Sequence, residues 1–267
     1  MSDLFSAAGA CLAAASPEAK VSATFDAAAT FARGELPIDK ASPGPDTIRM
    51  PGRPQMPRLV HPRELPRRGF GSNEGRAAFI HAVAHIEFNA IDLAWDAVYR
   101  FRDLPDAYYA DWVSVANDEA RHFSMLGARL RELGHDYGDF DAHNGLWEMA
   151  EKTAHDGLAR MALVPRVLEA RGLDVTPGMI VKLRGLGDDA TADILEIILR
   201  EEIAHVAAGS RWYRWHCERA GIEPRARFRE LLREYATGVL RKPFNMEARR
   251  KAGFDAEELE GLLAVAD

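Results

Sequence analysis

Apolar residues recur every three or four positions along four long stretches of this chain, the period of helices with one buried face. Helix A is predicted to start near Ser72, a good N-cap residue, and to run to about Phe101. Helix B opens near Pro105-Asp106 and stops at Gly134. Helix C covers roughly 143–172, with a kink expected at Pro165, which has no backbone N–H. After a linker carrying Pro177 and a short helix, helix D spans about 188–220, and a further helix follows over about 224–240. Residues 2–33 read as one or two short helices broken near Ser16-Pro17. No stretch carries a convincing strand pattern, so the pattern predicts an all-α bundle.

Residues 34–72 change character. Eight prolines between Pro37 and Pro66 exclude a long helix, so this stretch is expected to be extended and to wrap a surface. A loop of that length points to a functional or interface role. The predicted organisation is N-terminal helices plus a proline-rich arm over 1–72, a four-helix bundle over 73–220, and a helical extension over 221–267.

The chemistry is concentrated on the apolar stripes. Asp118-Glu119-Ala120-Arg121-His122 in helix B and Glu201-Glu202-Ile203-Ala204-His205 in helix D both read acid-Glu-x-x-His. Positions i and i+3 share a helical face, so each segment can aim a carboxylate and an imidazole at one point. Glu119 lies on a stripe with Trp112, Val115, Ala116 and Phe123, and Glu202 on one with Leu195, Ile198 and Val206. A buried carboxylate is costly unless paired or bound to metal. Helix A offers Glu87 on the face of Val83, Ala84 and Ile91, and helix C offers Glu169 on that of Met161, Ala162 and Pro165. The spacings match: 119 − 87 = 32 and 202 − 169 = 33, while 169 − 87 = 82 and 202 − 119 = 83. Helices A and B therefore read as a hairpin repeated by C and D.

Four carboxylates and two imidazoles form the ligand set of a di-metal bundle, with Asp118 and Glu201 placed to hydrogen-bond the ligand histidines. Carboxylates bridge and offset two cations, and imidazole suits Fe, Mn and Zn. The competing reading is a buried salt-bridge network with Arg121, Arg160, Arg166 or Arg200. A third match, Glu132-Leu133-Gly134-His135, straddles the glycine that ends helix B and is rejected. Glu148, Glu151, His155 and Asp156 compete with Glu169 on helix C. His81 and His85 lie with Asn89 and Asp92 on another face of helix A and read as structural. Trp212 and Tyr213 read as core residues and are the first candidates for electron transfer near an oxidising site.

A net charge of −7 and a pI near 5.8 disfavour a dedicated nucleic-acid binder. Two groups of arginines, Arg63, Arg67 and Arg68, and Arg225, Arg227, Arg229 and Arg233, read as solvated. Two cysteines, Cys11 and Cys217, give neither a disulfide framework nor a zinc pattern, which fits a reducing compartment. No apolar run is long enough for a membrane span, and the N-terminal stretch lacks a basic leader, so a cytoplasmic location is expected.

The segments LVHPRELPRRGFGSNEGRAAFIHAVAHIEFNAIDLAWDAVYRF, NDEARHFSMLGARL, ALVPRVLEARGLDVTP, EIILREEIAHVAAGSRWY and RKPFNMEARRKAGF, spread over about residues 59–254, resemble the ferritin-like bacterial family catalogued as domain of unknown function 455. The resemblance implies a ferritin-like four-helix fold in which Glu87, Glu119, His122, Glu169, Glu202 and His205 match the pattern of metal ligands. That fold neighbourhood includes a di-iron tRNA hydroxylase, ribonucleotide reductase small subunits, monooxygenases and ferritins. The Asp-Glu-x-Arg-His spelling at 118–122 is similar to the reductase and monooxygenase group and tilts the expectation to oxygen activation. The leading expectation is an O₂-dependent di-iron oxidoreductase, a hydroxylase or oxidase of an organic substrate served by an external electron donor. Mn/Fe or Mn/Mn would suit the same ligands. The alternatives are a ferroxidase, iron-storage or peroxide-detoxifying protein, and a non-catalytic interaction module with a relic site.

Overall fold

The computed structural model describes residues 3–66, 69–236 and 240–265. Arg67 and Arg68 of the first arginine group, the first residue of the N-terminal stretch expected to be helical, and the end of the helix expected over 224–240 lie outside the described residues. Among the described residues every regular element is helical, and extended pairing is confined to a parallel bridge between Leu59 and Ala142. Among them no helix is long and apolar enough to cross a membrane. The backbone divides into two compact units, 1–148 and 149–267.

The first unit is built on a hairpin of α3 (Asn73–Arg100) and α4 (Asp106–Glu132). Local signals set its ends. The Ser72 hydroxyl accepts from the Gly75 N–H at 3.0 Å, and Gly134 takes φ +82° just past α4, a conformation that favours glycine. Ahead of the hairpin, α1 (Leu4–Ala13) packs on α3 and α2 (Pro17–Ala32) on α4. Ser16 caps α2 and Pro17 opens it, as the break expected there requires. Lys20 of α2 is fully buried, its ammonium donating to the carbonyls of Cys11 and Leu12 at 3.1 and 3.4 Å and to the carboxylate of Asp92 on α3. Both cysteines, Cys11 in this unit and Cys217 in the other, are buried and unbridged.

The proline-rich arm wraps this unit through backbone contacts. The Gly52 N–H donates to Leu12 O at 2.7 Å, Val60 N–H to Ala142 O at 2.8 Å, and the Trp147 indole to Arg49 O at 2.7 Å. Gly52 presses so close to the end of α1 that a Cβ there would stand 2.3 Å from Ala13 O. A short 3₁₀ turn at Pro62–Glu64 is the arm's helical element among the described residues.

The second unit departs from the expected single helix C. That stretch is three helices: α5 (Gly145–Lys152), in which the unit boundary falls, α6 (Gly157–Leu163) and α7 (Ala170–Gly185). Asp156 restarts the chain as α6, accepting from the Leu158 N–H at 2.8 Å. The disturbance expected at Pro165 takes the form of a π-helical turn over Val164–Glu169, in which the Ala170 N–H reaches back five residues to Pro165 O. Pro177, expected in a linker, lies inside α7. The Leu173 carbonyl that its missing N–H would leave unbonded instead accepts from the Asn245 amide at 3.2 Å.

The long helix α8 (Asp189–Ala220) ends at Gly221 with φ +66° and packs on α6, the π turn and α7. Gly209 of α8 is where the Pro165 ring comes in: a Cβ there would stand 2.3 Å from Pro165 Cγ. The helices α9 (Pro224–Tyr235), α10 (Met246–Lys251) and α11 (Ala256–Val265) close the unit. Two buried ion pairs fasten α10 and α11: Arg249 to Asp174 at 2.7 Å, and Glu258 to Arg166 at 2.6 Å. The Arg166 guanidinium also lies 4.3–4.7 Å from the ring centres of Tyr213, Phe228 and Phe254.

Candidate metal centre

In the first unit, α3 presents Glu87 and α4 presents Glu119 and His122 to one point. All three are buried, with Glu119 1% and His122 0% exposed. Each residue offers a ligand atom, and these atoms lie within 4.8 Å of one another. His122 Nδ1 is 3.3 Å from Glu87 Oε2 and 3.4 Å from Glu119 Oε2. The helical register produces this. Glu119 and His122 are three apart, so they share the inner face of α4, and Glu87 faces them from the partner helix between the buried Ala84 and Ile91.

Burial and mutual contact set the electrostatics of this trio. Burial and the neighbouring Glu119 carboxylate raise Glu87 to about 8. Burial opposes the charged form of His122, but its hydrogen bonds to Glu119 and Glu87 and their negative charge override it and raise the imidazole to about 11. Two carboxylates and an imidazole at this separation therefore hold protons between them at neutral pH. Two carboxylate oxygens and one imidazole nitrogen are also a donor set that could hold a metal ion, which would take the place of those protons.

In the second unit, Glu202 and His205 of α8 repeat the pattern. Both are buried, and His205 Nδ1 is 3.2 Å from Glu202 Oε1. Glu169 ends the π turn and is half-buried. Glu148, Glu151 and His155, its rivals on the same stretch, are exposed. Asp118 accepts from Arg121 at 3.0 Å, and Glu201 lies 3.7 Å from Arg200. The arginines expected to compete for the glutamates each have a partner elsewhere, Arg160 on Ala150 O and Thr153 Oγ1, and Arg166 on Glu258.

His81 and His85 serve the first unit's polar interior. His81 Nε2 accepts from the Gly138 N–H at 3.0 Å. His85 Nδ1 is 2.8 Å from the Tyr137 hydroxyl, and its Nε2 is 3.1 Å from both the His143 carbonyl and the Asn89 amide nitrogen. Burial lowers His85 to about 3 and keeps it neutral. Tyr137 packs against Phe88 and Phe123, the chain neighbours of Glu87 and His122, with ring centres 5.2 and 5.0 Å away. Sequence reasoning passed over Tyr137, because it stands in a Gly- and Asp-rich loop with no periodicity around it.

The family described as "Protein of unknown function (DUF455)" matches residues 13–260. A protein of Haemophilus influenzae described as "Uncharacterized protein" is 48% identical over 219 residues, which cover 79% of this chain and 76% of that one. No solved structure matches.

Proposed function

This chain belongs to the DUF455 family, and we propose that it is a ferritin-like di-metal carboxylate protein that uses dioxygen to oxidise an organic substrate. In this reading the α3–α4 hairpin and its counterpart in the second unit form a four-helix bundle. Glu87, Glu119 and His122 hold one side of a dinuclear centre and Glu169, Glu202 and His205 the other, with Asp118 and Glu201 as supporting carboxylates. The observation that carries the reading is the buried Glu87–Glu119–His122 group, together with the same buried Glu-His pair at 202 and 205.

Bound iron would supply the electrons that reduce dioxygen, with an external donor to restore them. The chain supplies the rest. Four carboxylates offset the charge of two cations, and six protein ligands for two ions leave room for an exogenous molecule. The apolar helix faces around Glu87 and Glu119 exclude water from the group.

The reading is tested by loading the protein with Fe(II) without oxygen and then admitting dioxygen in an oxygen-electrode cell. Dioxygen uptake together with a ferric absorption band supports it. Full metal loading without any uptake rejects the oxidase reading and leaves metal binding alone.

A further inference from the structure

The first unit contains a cleft of about 620 Å³, within the size range of small-molecule sites. Val21 and Phe25 of α2, Met56 of the arm, Phe123 of α4 and Tyr137 of the loop after it line the cleft. Phe25 and Met56 are large apolar side chains left 36% and 51% exposed, and both belong to this one concave surface. The arm that supplies Met56 is fixed on both sides, by the Gly52 N–H on Leu12 O and the Val60 N–H on Ala142 O. From the loop, Gly138 closes on Met56, where a Cβ would stand 3.3 Å from Met56 Cβ. The walls are thus held in place by the chain itself.

Gly127, inside α4, lines the same cleft. Glycine is the poorest helix former after proline, so a glycine inside a helix needs a reason. Packing within the chain does not supply one. Among the described residues a Cβ at Gly127 would meet only Arg131 Nη1, at 3.7 Å, an ordinary contact. Gly52 and Gly209, by contrast, each sit where a Cβ would clash. The missing side chain leaves bare backbone to which a flat ring can come close. Phe25, Phe123 and Tyr137 add ring faces and edges, and Met56 a polarizable sulfur, which suit an aromatic guest. The charged residues of the cleft are Glu18, Arg131 and Asp136, all exposed, and Arg131 Nη1 already lies 3.6 Å from Asp136 Oδ1. One engaged cation beside two carboxylates offers an anion no partner, and any ion drawn among the apolar walls loses its hydration.

We propose that this cleft binds an uncharged aromatic molecule of one ring or two fused rings, lying on the backbone at Gly127 among Phe25, Met56, Phe123 and Tyr137. The proline-rich arm then has a role, as one wall of a ligand site. None of the lining residues is a candidate metal ligand, so binding here requires neither metal nor dioxygen.

The test is isothermal titration of the full-length protein at pH 7 with indole and 2-naphthol, and with 2-naphthoate as the anionic counterpart. Saturable binding of at least one of the two uncharged compounds is expected, and 2-naphthoate should bind more weakly than 2-naphthol. Gly127→Leu puts a good helix former's side chain into the cleft and should cut affinity about tenfold or more, while the urea midpoint holds or rises. Phe25→Ala removes a ring at an exposed position and should weaken binding about threefold or more. No saturable binding of either uncharged compound, 2-naphthoate bound as tightly as 2-naphthol, or affinity unchanged in Gly127→Leu or in Phe25→Ala overturns the proposal. Self-association that Gly127→Leu abolishes, without binding of either compound, would also overturn it and assign the cleft to a second copy of the chain.

Discussion

Replacing Gly209 by alanine should destabilise the second unit, although alanine is the better helix former. In an exposed helix interior the change would gain about 1 kcal/mol. Here the new Cβ would stand 2.3 Å from Pro165 Cγ and 2.4 Å from Pro165 Cβ. Carbon atoms rest about 3.5–4.0 Å apart, so two contacts are short by more than 1 Å each. A proline ring cannot rotate away, so α8 and the π turn must separate. Overpacking costs about 1–3 kcal/mol, and two clashes against a rigid ring belong at the upper end. The net loss is then about 2 kcal/mol. With a urea m-value of about 3 kcal/mol/M, the unfolding midpoint followed by circular dichroism should fall by about 0.7 M. On the ligand set proposed above, metal content should fall too, because the displaced π turn ends at Glu169. Pro165→Ala, which removes Cγ, should recover about 1 kcal/mol or more of the loss in a double-mutant cycle. A Gly209→Ala protein as stable as the parent, or more stable, would refute the packing of α8 on the π turn.

Other substitutions probe the remaining joints. Lys20→Met leaves the buried Asp92 carboxylate without its ammonium and should cost about 3–5 kcal/mol in urea unfolding; a loss below about 1 kcal/mol would contradict the buried pair. Burial raises Asp92 from 3.8 to about 6, with Lys20 opposing the shift, so the folded state holds this proton more tightly than the unfolded one. Its contribution is therefore largest at or below about pH 4 and falls by about 3 kcal/mol as pH rises to about 6. The stability difference between the parent and Asp92→Asn, measured across that range, should show this slope; a flat difference would speak against it. Asn245→Ala removes the donor to Leu173 O and the cap that accepts from the Ala248 N–H, and should lower stability by about 2 kcal/mol, read from the urea midpoint.

Features that were legible in the sequence are those set by neighbouring residues. Ser72 and Gly134 mark helix ends by chemistry that acts within a turn, and the structure uses each as expected. Glu119 and His122 were legible because i and i+3 share a face whatever the tertiary fold, and the same holds for Glu202 and His205. Features set by distant partners were not. Lys20 sits in an alanine-rich helix with no neighbouring residue to signal its burial, and Asp92, 92 − 20 = 72 residues away, holds it in the interior. Pro177 reads as a helix breaker, and it is tolerated because Asn245 takes up the carbonyl of Leu173. The split of helix C carried a local sign, the Asp156-Gly157 start, but the continuous apolar stripe over Trp147 to Pro165 masked it. Arg53 lies in a proline-rich stretch with no periodicity, and only the folded arm places it beside Tyr137 and Asp92.

The most direct test of the di-metal reading is elemental analysis of the natively purified protein beside its Glu119→Ala and Glu202→Ala variants. A dinuclear carboxylate centre predicts two transition-metal ions per chain in the parent and the loss of at least one in each variant, with helical content retained. A parent without bound transition metal, or a stoichiometry that neither substitution changes, would contradict the ligand set and the function built on it.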